Sequence, residues 1–249
     1  MIRTLIAVGI VFGGLMLWPG AGALYDLLAA PLAKHLPQGA TLIATSVITP
    51  FLVPLKITLM AAFLVALPYV LYQIWAFVAP GLYSHEKRLV LPLVVSSTVL
   101  FFLGVGFVYF VVIPGLSEFI QLVAPKSITA APDVEEYFGF VLTLFLVFGI
   151  AFEVPIAVIV LVRIGVVSIE QLQKARGYFI VGAFIVAAIV TPPDVISQLA
   201  LAIPMCLLYE AGILVSRMAV RDKAAKADKA DKSEKAARAD DTGDSSLGD

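Results

Sequence analysis

Carboxylates and amides standing inside apolar stretches are the residues of this chain with the most chemistry to offer. Glu153 lies in the run Phe148-Gly149-Ile150-Ala151-Phe152-Glu153-Val154-Pro155. A charge there costs several kcal/mol in lipid unless it finds a partner or a wet cavity. Such a residue is read as functional first, with a locally satisfied structural Glu as the competing reading. Pro155 frees a carbonyl one turn upstream and bends the helix, so the two residues together point to a concave polar pocket within the membrane. Gln198 and Gln73 stand in similar apolar surroundings, where ordinary interhelical hydrogen bonding is an equal reading. Asp194, in Thr191-Pro192-Pro193-Asp194, reads equally as a helix cap and as a functional acid. Glu210 is expected to pair with Arg217 or with water. Glu86 belongs to the short loop Ser84-His85-Glu86-Lys87-Arg88, where the competing reading is a surface carboxylate beside its own basic neighbours.

Enzyme chemistries fail on spacing. His85-Glu86 opens like the zinc-protease HExxH, but position 89 is Leu, so the second ligand one turn on is missing. Tyr25-Asp26 sits in a segment outside the membrane, with no second intramembrane Asp to form a pair. No Gly-x-Ser-x-Gly elbow and no phosphate-cradling loop occur. His35 reads as a solvated surface residue, and the lone Cys206 excludes an internal disulfide. No catalytic residue, metal site or cofactor is expected.

The elements that must position these residues are membrane helices. Hydrophobic residues make up 61% of the 249 and the mean hydropathy is +1.00, well above the roughly 45–50% apolar share of soluble domains. Against a ruler of about 20 apolar residues per span, six stretches qualify: roughly 4–18, 52–80, 89–113, 137–163, 177–191 and 192–215. Arg3, Lys87, Arg88, Arg163, Lys174, Arg176 and the basic residues from Arg217 onward fall on one side of such a bundle, and only Lys34, Lys56 and Lys126 on the other. Cytoplasmic loops retain Lys and Arg, so both termini are expected in the cytoplasm. Tyr69, Tyr72, Trp75 and Tyr83 read as an interfacial belt at the inner end of the second span. The fifth span holds roughly 15 residues, about 22 Å of helix against a core near 30 Å. It passes into the sixth through a hairpin in which Thr191 is expected as N-cap.

The first span also resembles a cleaved signal peptide, through Arg3 and Ala21-Gly22-Ala23. Leu24, Leu27, Leu28 and Leu32 suggest amphipathic helices lying outside the membrane. The organisation is therefore an all-α, six-helix transmembrane domain over residues 1–216, a concave bundle with short fifth and sixth helices. Residues 217–249 follow as a charged, disordered cytoplasmic tail, helical at most in part. The mixed charges of that tail argue against nucleic acid, and no internal repeat of the inverted-transporter kind is visible.

Several strings carry a family resemblance. Phe51-Leu52-Val53-Pro54-Leu55-Lys56, the run from Leu67-Pro68-Tyr69 through Trp75-Ala76-Phe77-Val78-Ala79-Pro80-Gly81, His85-Glu86-Lys87-Arg88, Phe152-Glu153-Val154-Pro155 and Thr191-Pro192-Pro193-Asp194 occur in the order found in TatC. The chain resembles this large subunit of the twin-arginine protein translocase from about Tyr25 to Arg217. The resemblance implies a cytoplasmic-membrane receptor for folded proteins with Arg-Arg signal peptides. It further implies assembly with single-span TatA- and TatB-type partners, self-association within the complex, and transport driven by the proton motive force without enzyme activity. Glu86 resembles the carboxylate that binds the signal arginines, with Phe77 on the same surface; a carboxylate can hold a guanidinium bidentately, whereas Lys offers a point charge. Glu153, with Thr191 and Gln198, resembles the intramembrane cluster that meets the partner helices. Pro31 resembles part of a cap over the concave face. Position 188 is Ala where some relatives carry Met.

One departure stands at the start. The family opens His-Leu-x-Glu-Leu-Arg-x-Arg, whereas this chain reads Met1-Ile2-Arg3-Thr4, and a start codon set downstream of the true one is the expected explanation. Two other classes stay open on the residues alone: a secondary transporter whose Glu153 carries protons, and a structural scaffold.

Overall fold

The structure, a computed structural model, describes residues 2–33, 43–78, 90–123, 133–191 and 195–244. Its helices are α1 (Ile2–Leu17), α2 (Ala21–Ala33), α3 (Thr49–Val78), α4 (Val90–Phe107), α5 (Ile113–Val123), α6 (Val134–Phe152), α7 (Val154–Arg163), α8 (Ile169–Lys174), α9 (Arg176–Val190) and α10 (Val195–Asp244). A π-helical turn, Val108–Val112, joins α4 to α5. No strand occurs among the described residues. An all-α fold is what lipid demands, because each helix satisfies its own backbone hydrogen bonds.

Four stretches are long and apolar enough to cross a membrane: Thr49–Phe77, Leu91–Glu118, Val134–Arg163 and Val195–Met218. α1 with Ala21–Leu28 makes a further candidate bent by 90° at the break, and Arg176–Val190 is apolar but short. The fourth expected span is therefore α6 and α7 together, interrupted at Glu153. α1 packs on α3, α3 on α4 and α6, α4 on α6, α7 on α10 and α10 on α9. α2 also packs on α3, and α10 touches α6 and α8 as well.

Lipid tails are as apolar as the helix surfaces, so close packing through small residues has to hold such helices together. A Cβ on Gly104 of α4 would stand 2.7 Å from the Phe148 carbonyl oxygen and 3.0 Å from the Phe152 ring. One on Gly149 would collide with the Phe101 ring, and one on Gly212 of α10 would stand 2.9 Å from Pro155 Cα. Phe138, Val141, Leu144 and Phe148 of α6 are buried in this layer.

The N-terminal ends of α3 and α6 are tied by a polar cluster. Asp133 caps α6, accepting from the backbone N–H of Glu135 at 2.7 Å and of Glu136 at 3.2 Å. Its other oxygen accepts from Thr45 N–H at 3.1 Å and Thr45 Oγ1 at 2.5 Å. These bonds, the Thr45 hydroxyl first, hold its carboxyl at about 2, below the usual 3.8. Glu135 accepts from Thr49 Oγ1 at 3.0 Å and pairs with Lys56 at 2.6 Å.

Four expectations need correction. Trp75 does not face an interfacial belt: it is buried, and its indole N–H donates to Ser97 Oγ at 2.9 Å. Tyr69 and Tyr72 do remain exposed. Glu210 pairs with Arg176 at 2.6 Å rather than with Arg217, because the packing of α9 on α10 brings that guanidinium closer than a residue two turns along the same helix. Thr191 closes α9 instead of opening α10, with extended backbone and its hydroxyl donating back to the Ala187 carbonyl at 2.8 Å. Finally, α10 stays helical to Asp244. The tail is rich in Ala and Lys, strong helix formers, and places Asp222/Lys226, Asp228/Lys232, Asp231/Lys235 and Glu234/Arg238 at the favourable acid-to-base spacing of four.

Gly104→Ala is expected to destabilise the bundle by about 1–3 kcal/mol, because the clash is with backbone that cannot swing away. Denaturant titration of the chain in mixed micelles measures it, and a midpoint equal to that of the native chain would contradict the packing described.

Candidate functional site

Glu153 occupies the single residue between α6 and α7. Its N–H donates to the Ile150 carbonyl at 3.0 Å, and its own carbonyl accepts from Ala157 at 2.9 Å. The backbone therefore passes through the break with its hydrogen bonds largely kept, and Pro155 falls in the first turn of α7, where its missing N–H costs least. Glu153 keeps helical φ and ψ, so Val134–Arg163 continues as one candidate span through the interruption.

Both carboxyl oxygens of Glu153 are closed off from the surface, and neither makes a hydrogen bond of full geometry among the described residues, although the Ser97 hydroxyl stands close enough to act on the carboxyl. The polar side chain that bears on the carboxyl is Ser97 of α4, itself fully buried. Helices close in on either side: Phe152 lies against the Gly104 position and Pro155 against Gly212. A buried carboxyl without a formed hydrogen bond is uncommon in folded proteins and marks this position out.

A second feature lies in the same bundle. A cavity of about 380 Å³ is lined by Phe107, Val111, Phe148, Thr191, Ser197 and Pro204 among others, and is overwhelmingly apolar. The π turn contributes Val111 and Val112. π turns often mark functional positions in helices. Thr191 is thus brought to the cavity, together with Phe148, which precedes Glu153 on α6. Glu153 itself is not among the lining residues, and neither is Gln198, half-buried in the first turn of α10. The expected cluster of Glu153, Thr191 and Gln198 is therefore spread over the α6–α7 break, the cavity rim and the start of α10.

Phe77 stands at the end of α3, 86% exposed. Pro31 lies in the last turn of α2, with its side chain outside the described residues. Glu86 and Asp194 also fall outside them. The sequence reading did not single out Ser97. It lies in Val94-Val95-Ser96-Ser97-Thr98, and small hydroxyl residues are common in membrane helices, where they bond to their own backbone. Ser96 and Thr98 do so here.

Several long apolar spans, one of them carrying the enclosed Glu153 carboxyl, define a multi-spanning membrane protein. A family model described as Sec-independent protein translocase protein (TatC) matches residues 1–204. The TatC of Haemophilus influenzae is 48% identical over 217 residues, covering 87% of this chain and 84% of that protein. The TatC of Escherichia coli K12 is 47% identical over 220 residues, covering 88% and 84%. With the TatC of Halothiobacillus neapolitanus the identity is 48% over 227 residues; the match takes in 91% of this chain but spans only 62% of that protein's length. Among solved structures, that of the twin arginine translocase receptor TatC is similar with a TM-score of 0.78 and 42% identity, covering 88% of this chain and 95% of that one. The chain belongs to the TatC family of Sec-independent protein translocase proteins. Its family role is transport, not catalysis.

Proposed function

We propose that this chain is the core receptor of a twin-arginine translocase, using two separate carboxylates for two tasks. Glu153 docks the single-span TatA- and TatB-type partners, with Thr191 and Gln198 contributing from the cavity rim and from α10. Glu86 binds the paired arginines of the signal peptide on a cytoplasmic surface that includes exposed Phe77. Six crossings, with both termini in the cytoplasm, place these sites in the cytoplasmic membrane, where the proton motive force drives export. Pro31 belongs to the outer cap, Asp194 to the hairpin between the last two spans, and residues beyond 216 to a cytoplasmic tail. Copies of the chain associate within the complex.

The observation that carries the reading is the enclosed Glu153 carboxyl, both of whose oxygens lack a fully formed hydrogen bond among the described residues and so keep acceptor capacity for an incoming group. A helix arriving through lipid with one polar side chain gains there a hydrogen bond that lipid cannot supply. Support for the receptor role comes from the 42% identity to a chain described as a twin arginine translocase receptor.

Glu153→Ala is expected to lower crosslinking to the single-span partners by roughly three- to tenfold, the range of an interhelical hydrogen bond in a membrane, with insertion of the chain intact. Unchanged crosslinking overturns the docking role. Glu86→Lys is expected to abolish photocrosslinking to an Arg-Arg signal peptide, because a like charge replaces the bidentate acceptor; undiminished signal crosslinking overturns that assignment.

A further inference from the structure

The contacts between α4 and α6 fix a helix register. Phe101 lies against Gly149, and Gly104 against Phe148 and Phe152, while Val94 shares a buried cluster with Ile156 and Val160. Residue numbers fall on one helix as they rise on the other, so the two run antiparallel. One turn back from Phe101 is Ser97, and one turn on from Gly149 is Glu153, which puts these two residues opposite each other.

Ser97 is not an ordinary membrane serine. Its hydroxyl oxygen accepts the Trp75 indole N–H at 2.9 Å inside the layer formed by Leu71, Val94, Phe101 and Ile156. A hydroxyl has one proton to donate. With Trp75 occupying the acceptor side, that proton is left for a neighbour, whereas Thr98 next to it gives its own to the Val94 carbonyl at 2.7 Å. The group across the interface is the Glu153 carboxyl, enclosed and lacking a fully formed hydrogen bond among the described residues.

We propose that Ser97, held from behind by the Trp75 indole, is the positioning residue for Glu153: its hydroxyl turns onto the carboxyl and fixes the direction in which that group meets a partner helix. The inference rests on the docking role given to Glu153 above. It adds a chain of three side chains from three spans, Trp75 of α3, Ser97 of α4 and Glu153 at the α6–α7 break. Trp75 can only donate and Glu153, when ionised, can only accept, so the chain has one direction.

The test measures binding of a fluorescent TatB-type single-span protein to the full chain in lipid nanodiscs. Ser97→Ala is expected to weaken binding about threefold, the usual scale of one such bond in a membrane, with signal-peptide crosslinking retained and thermal stability somewhat lowered, since the buried Trp75 indole loses its acceptor. Ser97→Thr keeps the hydroxyl and restores binding. Trp75→Phe weakens binding in the same direction, and adding it to Ser97→Ala brings no further loss, because the two act on one carboxyl. Native binding in Ser97→Ala, while Glu153→Ala binds weakly, overturns the positioning role and leaves the docking role standing. Equal loss in Ser97→Ala and Ser97→Thr also overturns it, since packing alone then explains the effect. Native binding in Glu153→Ala overturns the docking role itself.

Discussion

The rest of this structure depends on a single constraint, which is that a carboxyl group has been taken into an apolar helix layer and closed off there. In lipid, an ionisable side chain near a helix centre costs about 3 kcal/mol, and that cost has to be offset where the side chain sits. The local architecture answers the constraint. The helix is broken at Glu153, Pro155 starts the next helix where a missing N–H is harmless, and glycines let α4 and α10 close against the residues on either side. A buried tryptophan and serine stand across the interface. What the fold does not supply is a satisfied hydrogen bond at the carboxyl among the described residues. That shortfall is the basis of the docking role proposed for Glu153.

The spans were legible in the sequence because lipid selects for apolar runs of a set length, and no partner is needed to see them. The break at Glu153 was legible too, from a charge and a proline two residues apart. What escaped depended on contacts between elements. Trp75 looks interfacial from its place near a span end, yet the approach of α4 buries it against Ser97. Glu210 has a base two turns away on its own helix, but Arg176 arrives from α9. The hydroxyl of Thr191 suits either end of a helix, and only the extended backbone and the bond to Ala187 settle which. The helical continuation of α10 is a matter of propensity and charge spacing, which a reading tuned to composition discounts.

The candidate site divides along the same line. Glu153 could be singled out because its cost is intrinsic to the residue and its surroundings in sequence. Thr191 and Gln198 were grouped with it by resemblance, and the structure sets Thr191 on an apolar cavity beside the π turn while Gln198 stands apart from that lining. Ser97 could not have been found, since its distinction lies in having its acceptor side taken by a residue of another helix. α3 carries both Trp75, at the intramembrane site, and exposed Phe77, two residues on at the surface assigned to signal recognition. One helix therefore links the two sites proposed.

The most direct test of the account compares Glu153→Gln with Glu153→Leu, scoring how much single-span partner co-purifies with the chain from native membranes. If the carboxyl acts as a hydrogen-bonding group that lipid cannot replace, Gln retains most of the partner and Leu loses it. Equal recovery with Leu and with the native residue would contradict the central claim. So would a Gln variant as empty as the Leu one.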